Sequence, residues 1–386
     1  MTAFLPFTYA LRNLMRDPAR FAQTLLGTAL VVMLIMGAYS LNDGMTSSMK
    51  AAGHPENVML LGAGSEESVQ RSEVSEQAAG IAEASIYGVH TRLDNRAVSP
   101  EIYHMAEVDV PGEGLRRAQL RGVLPQSLFT HPDVTILEGR FCQPGELLVG
   151  RMAWRRLGVP EERLAIGSEI RLEGVTFKVS GIFANPGTVT ESEIWLDLNE
   201  LRTLAQRESV STVVVRLNEG TQDDVDLFTK QRFDLELAAI SEVVYYEKLA
   251  SFYQPIRIMT WITALLIALS AVFGGLNTLY AAFASRVSEI ATLQALGFSR
   301  LSVLVSFVQE SLLTCLAGTL LGASLAVLLL SERVISMGGS AFRMTIEPEA
   351  LYAGVLTGTL LGLIGTIPPA IRCLGPALPT ALRETA

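Results

Sequence analysis

Four apolar stretches constrain this chain more than any other feature. Phe21–Leu41 runs 21 residues without a charge. As a helix it reaches about 31 Å, the thickness of a bilayer's hydrocarbon core. Ile258–Ala284 is longer and also uncharged, Leu301–Leu330 carries one charge at Glu310, and Leu351–Ile371 is uncharged and contains Pro368-Pro369. Runs of this kind demand helices, because lipid offers no partner to a free backbone N–H or C=O. The expected architecture is therefore a membrane protein with four transmembrane helices. Between the first and second spans lie about 210 residues of polar sequence, enough for a domain of ordinary size.

Short flanks set orientation, because long translocated domains escape the charge rule. Arg12, Arg16 and Arg20 stand against Asp17 before the first span, and Arg286 and Arg300 against Glu289 between the second and third. Arg372 and Arg383 stand against Glu384 after the fourth. The remaining loop has Arg333 and Arg343 against Glu332, Glu347 and Glu349. The three net-basic flanks belong on the cytoplasmic side, so both termini are expected inside and the large domain outside. The first span exceeds a signal-peptide apolar core of about 7–15 residues and follows 20 others, so it reads as an anchor.

The loop between the second and third spans is the most informative stretch. Arg286–Arg300 reads RVSEIATLQALGFSR. Val287, Ile290, Leu293 and Leu296 fall on one helical stripe, with Arg286 and Glu289 beside it, and Gly297 stands where a helix-ending glycine belongs. Such a helix either lies on the bilayer surface or seats in a groove of a partner. Residues 1–20 also read as an amphipathic helix on the inner surface, bending into the first span at Asp17-Pro18. Within the spans, Gly354, Gly358 and Gly362 recur every fourth residue, as do Gly318 and Gly322. Faces of this type let helix backbones approach closely in lipid, and packing is their expected role. Glu310 is an intramembrane ionisable group and a functional candidate, with pairing to another helix, reach to the interface and a hydrogen bond with Gln309 all open.

The inserted segment, residues 42–254, carries 20 Lys+Arg against 32 Asp+Glu, a net charge of −12 that excludes nucleic acid as a partner. Strands are expected at Asn57–Leu61, Ser85–Arg92, Ile102–Val110, Glu146–Val149, Glu169–Leu172, Thr176–Ile182, Ser211–Leu217 and Leu235–Ala239. Helices are expected at Met152–Leu157 and Gln222–Phe233, and Gly64–Gln77 as helix or loop. The sum is an α+β domain with a β-rich insertion over about 115–210 and stalk helices at its ends, the second running from Ser241 towards Pro255.

Several chemistries lack their residues. None of Lys50, Lys178, Lys230 and Lys248 follows a glycine, so no phosphate-cradling loop exists. His54, His90, His104 and His131 form no metal or catalytic spacing, and no Gly-x-Ser-x-Gly elbow appears. Cys142 is alone in the inserted domain. The chain is expected to be non-catalytic, with no metal and no cofactor of its own.

The coupling stretch Ser285-Arg-Val-Ser-Glu289-Ile-Ala-Thr-Leu293-Gln-Ala-Leu296-Gly297, followed by Gln309-Glu310 and by Gly318 and Gly322, resembles the MacB/LolC/LolE/FtsX type of ABC-transporter permease. The ending Ala370-Ile-Arg372 and Pro379-Thr-Ala-Leu382-Arg383 is similar to that family's, and Leu137-Glu-Gly-Arg, Gly145–Gly150 and Phe177–Phe183 resemble its MacB-like periplasmic domain. Glu191-Ser-Glu-Ile-Trp195 is closer to the DevC-like subgroup. The resemblance implies a type VII, mechanotransmission permease without a fused ATPase domain. Its layout would be a helix at 1–20, spans at 21–41, 255–284, 301–330 and 351–371, a periplasmic domain at 42–254, a coupling helix at 285–300, a periplasmic loop at 331–350 and a cytoplasmic tail at 372–386. It implies a cytoplasmic ATPase dimer that binds ATP and Mg, a second permease copy or paired homologue, and, at further remove, a HlyD-like periplasmic adaptor and a TolC-like outer-membrane channel. The function implied is export or extraction of a lipid, lipoprotein, glycolipid, peptide or drug-like substrate. The alternative is an FtsX-like transmitter that regulates a periplasmic cell-wall hydrolase.

Overall fold

The computed structural model describes residues 7–14, 16–92, 94–331, 333–337 and 340–374. The first six residues of the expected N-terminal helix and residues 375–386 of the expected tail, with Pro379, Leu382 and Arg383, lie outside them. In chain order the elements begin with α1 (Phe7–Leu14), α2 (Pro18–Lys50), β1 (Asn57–Gly62), α3 (Gln77–Ser85), β2 (Thr91–Arg92), β3 (Asn95–Arg96), β4 (Val98–Val110) and β5 (Gly114–Val123). Next come α4 (Ser127–Thr130), β6 (Thr135–Gly139), β7 (Glu146–Gly150), α5 (Ala153–Leu157), β8 (Glu169–Leu172), β9 (Val175–Ala184), β10 (Ile194–Asp197) and α6 (Leu198–Leu204). Then follow β11 (Thr212–Arg216), α7 (Gln222–Gln231), β12 (Leu237–Ser241), α8 (Glu242–Ser251), α9 (Gln254–Ala284) and α10 (Val287–Ala295). The last are α11 (Arg300–Leu330), β13 (Val334–Met337), β14 (Ser340–Arg343) and α12 (Pro348–Cys373). Two compact units result, one from Met1–Asp43, Pro255–Arg333 and Met344–Ala386, the other from Gly44–Gln254 and Val334–Arg343.

Among the described residues four helices are long and apolar enough to cross a membrane: α2, α9, α11 and α12. Pro18 opens α2 in the first turn, where its missing N–H costs nothing, and the Asp17 side chain accepts from the Arg20 N–H at 3.2 Å. Small residues bring α2, α11 and α12 together. A Cβ on Gly318 would stand 2.7 Å from the Leu25 carbonyl oxygen, and one on Gly322 would strike the backbone of Ala29. On α12, Gly354 meets Met36 of α2, while Gly358 and Gly362 meet Thr319 and Cys315 of α11. The expected packing faces are thus occupied by neighbouring helix backbones and side chains. Helix α9 stands apart. Only 6% of its most apolar window is buried, against 33–39% for the other three, so most of its side chains face outward.

In the second unit β4 is the hinge of two sheets. Its first half pairs with β11 (Ser99 with Val214), extending the antiparallel order β12-β1-β11-β4. All six residues of β1 are buried. Val58 and Leu60 pack under α3 and α7 through Ala78, Ala82, Val225 and Phe228. The second half of β4 pairs with β5, and the order β5-β10-β7-β9-β8 returns to β4 at Val108–Leu172. Six strands therefore close into a small barrel, which removes the exposed edges an open sheet would leave. Ile170, Leu172, Phe177, Val179, Ile194, Leu196 and Leu120 belong to its apolar core.

Four expected elements differ. Of Ser85–Arg92 only Thr91–Arg92 is strand (β2), and the stretch before it is the end of a helix and a turn, because Ala78 and Ala82 give QAAGIAEAS a buried helical face and Gly88 takes φ +67°. The expected strand Leu235–Ala239 shifts to β12, because Phe233–Leu235 forms a 3₁₀ turn closed by Glu236 at φ +47°. The stalk from Ser241 breaks at Phe252–Tyr253, and α9 restarts just before Pro255, which cannot donate a helical hydrogen bond. Residues 331–350 were expected as a plain loop and contain the β13–β14 hairpin.

Strand register assembles a buried polar network on the barrel's outer face. Tyr103 lies opposite Arg121, and Arg121 is beside Trp195. The Arg121 guanidinium, 1% exposed, donates twice to Glu193, at 2.7 and 2.9 Å, and once to Glu101 at 3.2 Å. His131 Nε2 meets Glu101 at 2.7 Å, and Glu242 accepts from Asn57 at 2.8 Å. Burial pulls the His131 pKa down, but the Glu101 carboxylate more than offsets this and raises it above the ordinary 6.5. Burial raises Glu242 above the ordinary 4.5. Burial also opposes ionisation of Glu101, yet His131 and Arg121 hold its pKa below 4.5. A raised folded pKa contributes stability that is complete below the unfolded value and is lost as pH rises through the folded one. A lowered one does the reverse, and its contribution disappears as pH falls. Thermal stability of the full chain should therefore peak between about pH 4.5 and 6.5 and decline on the alkaline side. A thermal-shift series against pH checks this, and His131→Gln should flatten the alkaline limb. An unchanged limb in that variant would remove His131 from the explanation.

Candidate functional site

Helix α10 begins after Arg286 and ends at Leu296. Gly297 takes φ +97°, a conformation that favours glycine, and Phe298 N–H reaches back to the Leu293 carbonyl at 3.2 Å. Ser299 then caps α11 by accepting from Ser302 N–H at 3.1 Å. The turn is therefore short and fully specified, and it joins α10 rigidly to the third span.

The apolar stripe is divided. Ile290, 3% exposed, packs with Phe283, Val303, Phe307, Ala370 and Leu374, and Leu293 is partly packed against the same cluster. The rings of Phe283 and Phe307 stack at 4.4 Å. The family resemblance implies Val287, Ile290, Leu293 and Leu296 as anchors buried in a partner, and of these Ile290 is instead buried within its own chain. Ile290 is consumed by the chain's own helices, because α10 sits where α9, α11 and α12 end and their apolar side chains need cover. Val287 is half-buried, and Leu296 is 72% exposed beside exposed Gly297. The face left for a partner is the C-terminal end of α10.

Glu310 is where the polar contacts of this unit converge. It is 7% exposed on α11. Arg20 of α2 donates to it at 2.6 Å, Asn13 of α1 donates at 2.6 Å, and Arg286 lies 3.6 Å away at ion-pair distance. A second pair, Arg16 with Glu289 at 3.2 Å, joins α10 to the residue just beyond α1. This outer pair is largely exposed and is worth about 0–1 kcal/mol. The Glu310 cluster is different, since its members are withdrawn from water and each depends on the others. One carboxylate thus ties together α1, the first span, the third span and the turn into α10. Of the alternatives left open by sequence, pairing across helices is what the structure shows. The partners Asn13 and Arg20 were not foreseen as site residues, although their place among the basic residues before the first span was the available signal.

Among the described residues no cluster of His, Cys, Asp or Glu could hold a metal. Burial pushes the Cys142 thiol up to about 12, so it stays protonated at neutral pH. The string Glu191–Trp195 serves the buried network, where Glu193 holds both Arg121 and the Trp195 indole N–H.

Comparison with known proteins adds two family matches. Residues 21–226 match the MacB-like periplasmic core domain, and residues 261–376 match the FtsX-like permease C-terminal region. A macrolide export ATP-binding/permease protein MacB from Vibrio parahaemolyticus is 24% identical over 214 residues, covering 52% of this chain and 31% of that protein. The MacB protein of Shewanella sp. (strain ANA-3) is 31% identical over 114 residues, covering 28% and 17%. The chain thus spans about a third or less of the length of these curated relatives. The periplasmic region of MacB from Actinobacillus actinomycetemcomitans aligns at a TM-score of 0.40 and 8% identity, covering 53% of this chain and 97% of that one. The extracellular domain of the ABC-type transporter YknZ from Gram-positive bacteria aligns at 0.37 and 13%, covering 48% and 99%.

Proposed function

The chain belongs to the MacB/FtsX-like family of ABC-transporter permeases, and from that premise we propose that it is a non-catalytic permease subunit driven by a separate cytoplasmic ATPase. ATP and Mg sit on that partner, and the exposed end of α10 at Leu296–Gly297 docks into it. Arg286 and Glu289 are rim charges of the contact, and Leu293 supports it from within. Two permeases pair, as identical copies or homologues, in the bacterial inner membrane, with both termini cytoplasmic and the inserted domain periplasmic. ATP-driven movement then extracts or exports an amphipathic substrate such as a lipid, lipoprotein, glycolipid, peptide or drug-like molecule. A HlyD-like adaptor and a TolC-like channel extend the path across the periplasm.

The observation that carries this reading is the Glu310 cluster. A push on α10 reaches α11 through the capped turn, and it reaches α2 through Arg286, Glu310 and Arg20. Helices packed on glycine faces transmit such a push with little slack, since closely packed interiors compress poorly.

Purification of the chain from its native membrane in mild detergent tests the proposal. A Walker-A ATPase should accompany the wild type. Leu296→Glu should lose it, because a charge at an exposed apolar anchor costs about 2 kcal/mol or more, roughly 30-fold in affinity. The variant should keep the wild-type melting temperature, since Leu296 touches little of its own chain. Retention of the ATPase by Leu296→Glu would refute the docking site.

A further inference from the structure

The inserted domain contains a cavity of about 310 Å³, lined by α8, by β4 and β5, by α5 and by the end of α2. Its size falls at the lower end of small-molecule sites. Its walls are aromatic and sulfur-bearing, with Tyr245 and Tyr246 edge to face at 5.4 Å and Met105 among the side chains opposite. Two polar groups stand out against that lining.

The first is Arg156. Its guanidinium contacts the Met105 sulfur at 3.4 Å, and among the described residues no carboxylate lies within ion-pair distance of it. Burial lowers its pKa, with Glu193 and Tyr253 acting on it through space. Glu193 acts on it only from beyond ion-pair distance, since its carboxylate is turned to Arg121 and the Trp195 indole. Glu67 also borders the cavity but is exposed to solvent. The second group is the Tyr103 hydroxyl, buried at the cavity wall with no hydrogen-bond partner in the described structure. A buried phenol normally finds a partner.

We propose that this cavity binds a small amphipathic carboxylate, with its anionic head on Arg156, a hydrogen bond from Tyr103 and its apolar or aromatic body against the tyrosines and Met105. The charge balance supports an anion. In the adjoining network Glu193 and Glu101 are paired with Arg121 and His131, while Arg156, half-buried in the cavity lining, has no carboxylate at ion-pair distance among the described residues. The aromatic walls favour an apolar body over a hydrophilic one such as free phosphate. The site needs neither the ATPase nor a second copy, so its test is separate from that of α10.

The full chain in zwitterionic nanodiscs, with empty nanodiscs as the blank, is titrated with 2-naphthoate by equilibrium dialysis. Saturable binding of one molecule per chain is expected, with 2-naphthalenemethanol, the neutral analogue, bound at least about tenfold more weakly. Arg156→Met should weaken naphthoate at least about tenfold and Tyr103→Phe about threefold or more. Arg156→Lys, which keeps the charge, should retain part of the affinity and guards against a folding defect in the methionine variant. Displacement of the naphthoate by decanoate points to a lipid-derived occupant, and displacement by indole-3-acetate alone to a water-borne one. Absence of saturable binding, equal affinity for the neutral analogue, or indifference to both Arg156→Met and Tyr103→Phe would overturn the proposal.

Discussion

Arg121→Met is expected to destabilise the inserted domain by about 3–5 kcal/mol, the usual penalty for breaking a buried ion cluster from one side. The side chain is 1% exposed and holds two carboxylates, Glu193 and Glu101, with 7% and 0% of their side chains exposed. Removing it strands two negative charges that water cannot reach, with only His131 left as a counter-charge. Methionine fills much of the volume, so the loss is electrostatic rather than a cavity. Tyr103, whose ring lies 4.3 Å from the guanidinium, also loses its cation contact. For a domain of this size the drop should lower the apparent melting temperature by about 10 °C. The triple variant with Glu101→Gln and Glu193→Gln should recover most of it, because it removes the stranded charges with their partner. A single-variant shift under about 2 °C, or no recovery in the triple, would show that the cluster contributes little.

If the proposed function holds, Glu310→Gln should uncouple the permease from its ATPase without separating the two. Glutamine keeps an acceptor for Asn13 but deprives Arg20 and Arg286, both withdrawn from water, of the carboxylate they share. The arginines should move apart, and the path from α10 to the first span goes with them. Stimulation of the partner ATPase should fall tenfold or more, whereas its co-purification with the permease should persist, in contrast to Leu296→Glu. Glu310→Asp should fall in between. Full stimulation in Glu310→Gln, or loss of the ATPase itself, would separate the cluster from coupling.

The spans were legible because lipid leaves a chain few choices, and uninterrupted apolar runs signal the one it takes. Gly297 was readable for a similar reason, since one backbone angle suffices to end a helix, whereas the Ser299 cap that starts the next one was not read. The strands at β7, β8, β9 and β11 followed from alternation between turn signals. Strand β5 went unread, since Arg116, Arg117 and Arg121 interrupt its apolar pattern. Arg116 and Arg117 lie in the solvent-exposed first half of the strand, and Arg121 enters a network built from partners 20 and 72 residues away. The division of the α10 stripe was invisible for the same cause. Periodicity identifies an apolar face but does not say whether the chain itself or another molecule covers it, and Ile290 is covered by residues as distant as Leu374.

The connectivity of the inserted domain also governs when it can be built. Strand β1 pairs only with β11 and β12, whose partners for Asn57 and Val58 are Arg216 and Ser241. At a synthesis rate of about 5–20 residues per second, β1 waits roughly 10–35 s for its neighbours. The first span is complete well before then, and a long acidic segment waits without its sheet partners. Closure of the β4–β8 edge releases part of that burden earlier, since the barrel strands end at Asp197. The β13–β14 hairpin, which packs on the Ser192 turn through the Ala341 N–H, arrives only after the third span is made. The domain therefore completes in three instalments timed by the ribosome, and a chain stalled before Ser340 would carry a nearly finished domain still missing its last piece.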